Sequence, residues 1–159
     1  MLMPADDVER GLPEAEEAVQ TGGRYGPLAF TGDDIELGEE LGRGTQAQVF
    51  RCKRVRTGEQ LAVKVIDLWR LRMLADDPWD SMQKLENEVR LLREVEHECC
   101  LGLYDIFRTK KHIFLVMECM EGGELFEQIV KKKRFNEVEA RHVFRQVVEG
   151  LTFLHSKRI

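Results

Sequence analysis

One run constrains the fold more than any other: within Gln60–Asp67, QLAVKVID, the interior Leu61–Ile66 is apolar on both faces of an extended chain except for a single lysine. Side chains alternate across a strand, so Ala62, Lys64 and Ile66 share one face while Leu61, Val63 and Val65 share the other. A lysine buried in such a strand must find a counter-charge, because an isolated ammonium out of water is costly. The alternative is a lysine near the strand end that lays its stem along the apolar surface and reaches solvent.

The flanking sequence has the same texture. IELGEEL from Ile35 and QVFRCKRV from Gln48 are short runs rich in Val, Ile and Leu, and Thr57-Gly58-Glu59 supplies a turn before Gln60. Glycine-containing turns between short strands favour antiparallel neighbours joined by hairpins. Leu68–Asp80 follows as a polar connection with room for a helical turn. Ser81–Glu96 has a helical period, with Leu85, Val89, Leu92 and Val95 three and four residues apart. Two further strands are expected near Leu103–Phe107 and His112–Glu118, linked by RTKK. After Gly122-Gly123 come two helices, Glu124–Lys132 and Glu137–His155, the second capped by Asn136 and striped by Val143, Val147, Leu151 and Leu154.

Glu88 is the candidate counter-charge for Lys64. Positions 85, 88, 92 and 95 also follow three- and four-residue steps, which sets Glu88 within the stripe of Leu85, Leu92 and Val95. A carboxylate among apolar neighbours requires a cation, whereas Glu86, Glu94, Glu96 and Glu98 read as an ordinary solvated face. Gly42 and Gly44, in LGRGTQAQV, would let backbone amides approach a phosphate with no side chain between. Two glycines in a hairpin turn is the other reading of that loop. The pair lies between strands and its lysine arrives on the next strand, unlike a Walker loop, which runs into a helix.

Charge narrows the partners. Of the net −5, residues 1–34 carry −6, with eight acids against Arg10 and Arg24, so the remainder is close to neutral at +1. That remainder lacks the basic field with which nucleic-acid binders collect phosphates, so no nucleic acid is expected as a partner. Residues 1–34 also concentrate Gly and Pro and read as a disordered acidic leader, with a short helix possible within Pro13–Gln20. Cys52, Cys99, Cys100 and Cys119 show neither CxxC spacing nor histidines arranged as a zinc site, so they read as reduced thiols. The acidic start is unlike a signal peptide and no apolar run approaches a membrane span, which points to a soluble cytoplasmic or nuclear protein with no membrane partner.

Taken in order, LGRGTQAQV, LAVK ending at Lys64, Glu88 nine residues before His97, and HIFLVMECMEGGELF at His112–Phe126 resemble the small lobe and hinge of a protein kinase. They are similar to the serine/threonine type, within the calcium/calmodulin-dependent kinase-like group, from Ile35 to Ile159. The resemblance implies an α+β fold: a five-stranded antiparallel sheet plus helix C over residues 35–121, then the first two helices of a truncated large lobe over 122–159.

The same resemblance implies ATP as ligand. The Lys64–Glu88 ion pair would position the phosphates, Leu41, Gly42 and Gly44 would form the phosphate loop, and Val49 and Ala62 would cover the adenine ring. Met117 would be the gatekeeper, the backbones of Glu118 and Met120 would bond the base, and Glu124 would meet the ribose or a basic residue of a protein substrate. Leu92 and Leu103 would belong to the regulatory spine. Two positions depart from the pattern: Ala47 replaces the third glycine, and Gln46 stands where an aromatic often closes the loop. LTFLHSKRI resembles the end of helix E, and no His-Arg-Asp or Asp-Phe-Gly motif occurs, so the catalytic aspartate and the Mg2+ ligands are expected beyond Ile159. The expectation is an ATP-binding portion of a serine/threonine kinase, inactive alone. The alternative is a non-catalytic nucleotide-binding module, or a regulator or decoy that docks on a partner kinase.

Overall fold

The valine- and isoleucine-rich runs pair as the alternation requires. In the computed structural model, which describes residues 17–19, 35–74 and 76–159, the strands are β1 (Glu17–Val19), β2 (Ile35–Arg43), β3 (Ala47–Arg54), β4 (Gln60–Asp67), β5 (Leu103–Arg108) and β6 (His112–Glu118). The helices are α1 (Leu68–Met73), α2 (Pro78–Glu94), α3 (Leu125–Lys132) and α4 (Glu137–Ser156). The described residues divide into two compact units, one of residues up to Glu94 with Leu103–Cys119, the other of Val95–Gly102 with Met120–Ile159.

In the first unit the strand order is β1-β5-β6-β4-β3-β2 and every pairing is antiparallel. The five expected strands are all present. A sixth, β1, adds to the edge of β5, where Glu17 pairs with Arg108 and Val19 with Ile106. The backbone at Glu17–Val19 is therefore extended rather than helical. The rest of the acidic leader lies outside the described residues.

The alternation along β4 separates two apolar clusters. Leu61, Val63 and Val65 join Phe50, Cys52, Phe107, Phe114 and Val116 on one side. Ile66 joins Ile106, Ile113, Leu115 and Met117 on the other, covered by Leu68 and Leu71 of α1 and Leu85 of α2. Each such side chain taken out of water contributes about 1.5–3 kcal/mol, so a central strand with both faces covered anchors the unit.

Two capping aspartates explain why helix replaces most of the expected polar connection. Asp67 Oδ1 accepts from the amides of Trp69 (2.9 Å) and Arg70 (3.0 Å) and starts α1. Asp77 Oδ1 accepts from Trp79 (2.9 Å) and Asp80 (3.3 Å), so the next helix begins at Pro78, three residues before the expected Ser81. Proline suits a first helical position, where its missing N–H costs nothing.

In the second unit, α4 begins with a complete capping box: Glu139 N donates to Asn136 Oδ1 (2.9 Å) and Asn136 N donates to Glu139 Oε2 (3.0 Å). Gly150 is the buried residue of α4, and a Cβ there would come within 3.2 Å of the Cys99 carbonyl. His97 stacks on Phe153 with ring centroids 4.8 Å apart. Val147 and Leu151 of the expected apolar stripe are exposed, as are Val138, Phe144 and Val148. No helix among the described residues is long and apolar enough to cross a membrane.

Candidate nucleotide site

Strand register brings the candidate residues of the first unit together. Gly42 of β2 is the cross-strand partner of Val49, Val49 of Lys64, and Lys64 of Leu115. Partners in an antiparallel ladder project to the same side, so glycine, valine and lysine form a row on one face. Arg51, Ala62 and Met117 form the adjacent row on β3, β4 and β6. With strands about 4.8 Å apart, the Gly42 and Lys64 backbones stand roughly 10 Å from each other.

Helix α2 adds the carboxylate. Lys64 Nζ lies 3.4 Å from Glu88 Oε1. The depth of the pair differs from the expectation of a buried lysine and a carboxylate within an apolar stripe, since the Lys64 and Glu88 side chains are 31% and 53% exposed. The line of α2 that packs on the sheet runs Leu85, Val89 and Leu92, and Glu88 flanks it. Leu92 and Leu103 pack on the same cluster.

The glycine loop is open where a ligand would approach. A Cβ at Gly42 would meet nothing within 4 Å, and one at Gly44 would have the Ala47 carbonyl at 3.7 Å. Gly44 N donates to Ala47 O at 2.8 Å and closes the loop. Arg43, between the glycines, donates from Nε to Glu40 Oε1 (2.7 Å) and from Nη2 to Glu40 Oε2. That fork holds the Glu40 carboxyl below its usual range and leaves Arg43 paired beside the loop.

Of the remaining candidates, Ala62 and Met117 are buried, Val49 and Glu118 half-buried, and Leu41 exposed. Met120 and Glu124 belong to the second unit, where Met120 is exposed and Glu124 occupies the N-cap of α3 without a side-chain capping bond. Cys52, behind the sheet, has its thiol pushed up to about 12, first by burial and then by the nearby Cys119.

The structure also places on this face a residue not anticipated from the sequence. Arg51 Nε lies 3.0 Å from Glu39 Oε1, and its Nη1 donates to Cys119 Sγ at 3.6 Å. Spacing carried the signal, since Arg51 is two residues from Val49 on one strand and must share its face.

The protein kinase domain family model matches residues 35–159. The chain belongs to the protein kinase family. Among curated kinases it is 35% identical over 127 residues to death-associated protein kinase 2 of Homo sapiens, covering 80% of this chain and 34% of that protein. It is 33% identical over 126 residues to CBL-interacting serine/threonine-protein kinase 8 of Arabidopsis thaliana, covering 78% and 27%. A third relative, the probable serine/threonine-protein kinase fhkD of Dictyostelium discoideum, is 36% identical over 122 residues, covering 75% and 15%. The chain thus spans between 15% and 34% of the length of these relatives, and its sheet and helices correspond to the small lobe and the start of the large lobe of a serine/threonine kinase domain.

ATP, the cofactor the kinase family uses, fits the chemistry of this face. The open space over Gly42 would admit a phosphate, Lys64 would offer it a positive charge, and the apolar Ala62 and Met117 would suit a base. Magnesium fits less well: Glu88, the carboxylate that reaches Lys64, is engaged by the ammonium. Among the described residues this face would offer phosphates a positive charge, and it gathers no cluster of metal-ligating side chains.

Proposed function

We propose that the first unit binds ATP on the face carrying Gly42, Val49 and Lys64, as the nucleotide-gripping part of a serine/threonine protein kinase. The row of three cross-strand partners, with Glu88 3.4 Å from the lysine, carries this reading. Each member has a separable task. Gly42 leaves room over the loop backbone, Val49 and Ala62 enclose the base, and Lys64 meets the α- and β-phosphates while Glu88 keeps its ammonium aimed along the face. Glu118 offers its backbone to the base beside Met117. For Met120 and Glu124 the assignment rests on the resemblance alone.

Phosphoryl transfer to a protein hydroxyl needs an aspartate to orient that hydroxyl and carboxylates to hold the metal. No His-Arg-Asp or Asp-Phe-Gly motif occurs in these 159 residues, so this chain is expected to bind nucleotide without turning it over. The test is titration with ATP followed by a radiolabelled phosphate-transfer assay. Saturable binding without transfer supports the reading; transfer abolished by Lys64→Met would reverse the second half of it, and no binding would reverse the first.

A further inference from the structure

The Glu39–Arg51–Cys119 chain lies in the row that carries Ala62 and Met117, and the assignment of ATP to this face gives it no role. Its construction is specific. Between the pairs Leu37–Cys52 and Glu40–Phe50 the ladder of β2 and β3 shifts register, so Gly38 and Glu39 together oppose Arg51. A bulge of this kind re-aims a side chain, here turning Glu39 toward Arg51. It also brings the Gly38 backbone so close that a Cβ there would stand 3.2 Å from the Arg51 carbonyl, which would have to give by a few tenths of an ångström. Arg51 then spans from Glu39 on β2 to Cys119, the residue directly after β6.

The geometry points to Arg51 as a positioning residue for the adenine end of the nucleotide, holding the chain at Cys119 so that the neighbouring Glu118 backbone is presented to the base. The proposal rests on the reading of this face as an ATP site. A guanidinium suits the task because its planar fork donates in two directions at once, to a carboxylate and to a thiol sulfur. The ion pair ties one end of Arg51 to Glu39, whose side chain is 68% exposed, and the 3.6 Å contact ties the other end to Cys119. An adenine-side effect differs from a lost phosphate contact, because adenosine and ATP present the same base and must lose affinity by the same factor; it differs from general loosening, which also weakens both, by an unchanged ligand-free melting temperature.

The test is calorimetric titration of the 159-residue chain with adenosine and with ATP, for the unsubstituted protein, Arg51→Met, Arg51→Lys and Cys119→Val, with the ligand-free melting temperature of each. Arg51→Met is expected to weaken both ligands equally, on the order of tenfold, the scale of one charge-assisted hydrogen bond. Arg51→Lys, which keeps a donor, loses less, and Cys119→Val, which removes the acceptor, weakens both ligands together. Adenosine affinity within twofold of the unsubstituted chain in Arg51→Met overturns the proposal, as does a loss confined to ATP. If Arg51→Met lowers the ligand-free melting temperature sharply, Cys119→Val decides: adenosine affinity retained there overturns the proposal. An unsubstituted chain that binds neither ligand defeats the ATP reading and this one with it, whereas binding indifferent to Arg51 and Cys119 defeats this one alone.

Discussion

Lys64 Nζ and Glu88 Oε1 stand 3.4 Å apart with both side chains partly in water, so their ion pair links the sheet to α2 at low energetic stakes. Exposed pairs of this kind contribute about 0–1 kcal/mol to folding. Lys64→Met and Glu88→Gln should therefore change the melting temperature by a few degrees at most while lowering ATP affinity, on the order of tenfold for the lysine. Thermal denaturation of the ligand-free chain beside a nucleotide titration checks both halves. A Lys64→Met protein that fails to fold would show the lysine to be structural.

Gly42 and Gly38 should part company on substitution. A valine at Gly42 enters open space, so folding is retained and ATP binding falls because the side chain occupies the phosphate approach. Alanine at Gly38 meets the Arg51 carbonyl at 3.2 Å, and its cost should appear in stability, on the order of 1–3 kcal/mol as for overpacking. Denaturant titration separates the two.

The capping box of α4 predicts both a mutational and a pH effect. Asn136→Ala should cost the second unit about 1 kcal/mol, typical of a lost N-cap. Glu139 is held below its ordinary 4.5, first by the hydrogen bond from Lys132 and then by the Asn136 amide. A depressed carboxyl contributes stability above its ordinary value and loses it as pH falls through the lowered one. Helicity followed by circular dichroism should decline at the acid end of the titration, and Lys132→Met should move that decline toward higher pH.

Cys52 is fully buried behind the sheet, with its thiol pushed up to about 12. Since the thiolate is the nucleophile, iodoacetamide at pH 8 should leave Cys52 unmodified in the folded chain and reach it only in denaturant, as peptide mass spectrometry would show. A raised thiol contributes stability that is complete below about 9, the ordinary value, and is lost as pH rises toward about 12.

Much of this architecture was legible because β4 is so unequivocal. A strand apolar on both faces has to be central, and its single lysine marks the face on which chemistry is to be sought. Glu88 was legible as a partner but not its depth. Helical periodicity admits both 85-88-92 and 85-89-92 as stripes, and packing chose Val89 over Glu88. The helices over 68–80 were hard to foresee because Asp76-Asp77-Pro78 interrupts the run and leaves the first helix short, although Asp67 and Asp77 are good N-caps and Pro78 a good first residue. The Arg51 contacts depend on a bulge at Gly38-Glu39 that interrupts alternation, and strict period-two reasoning cannot foresee the register shift.

The central claim is that the Gly42–Val49–Lys64 face grips the phosphates of ATP while its apolar neighbours hold the base. Parallel titration of the unsubstituted chain and Lys64→Met with ATP and with adenosine tests it most directly. The account predicts saturable binding of both ligands to the unsubstituted chain and a Lys64→Met loss that falls on ATP far more than on adenosine. Equal affinities of the two proteins for ATP, or no nucleotide binding by the unsubstituted chain, would contradict it.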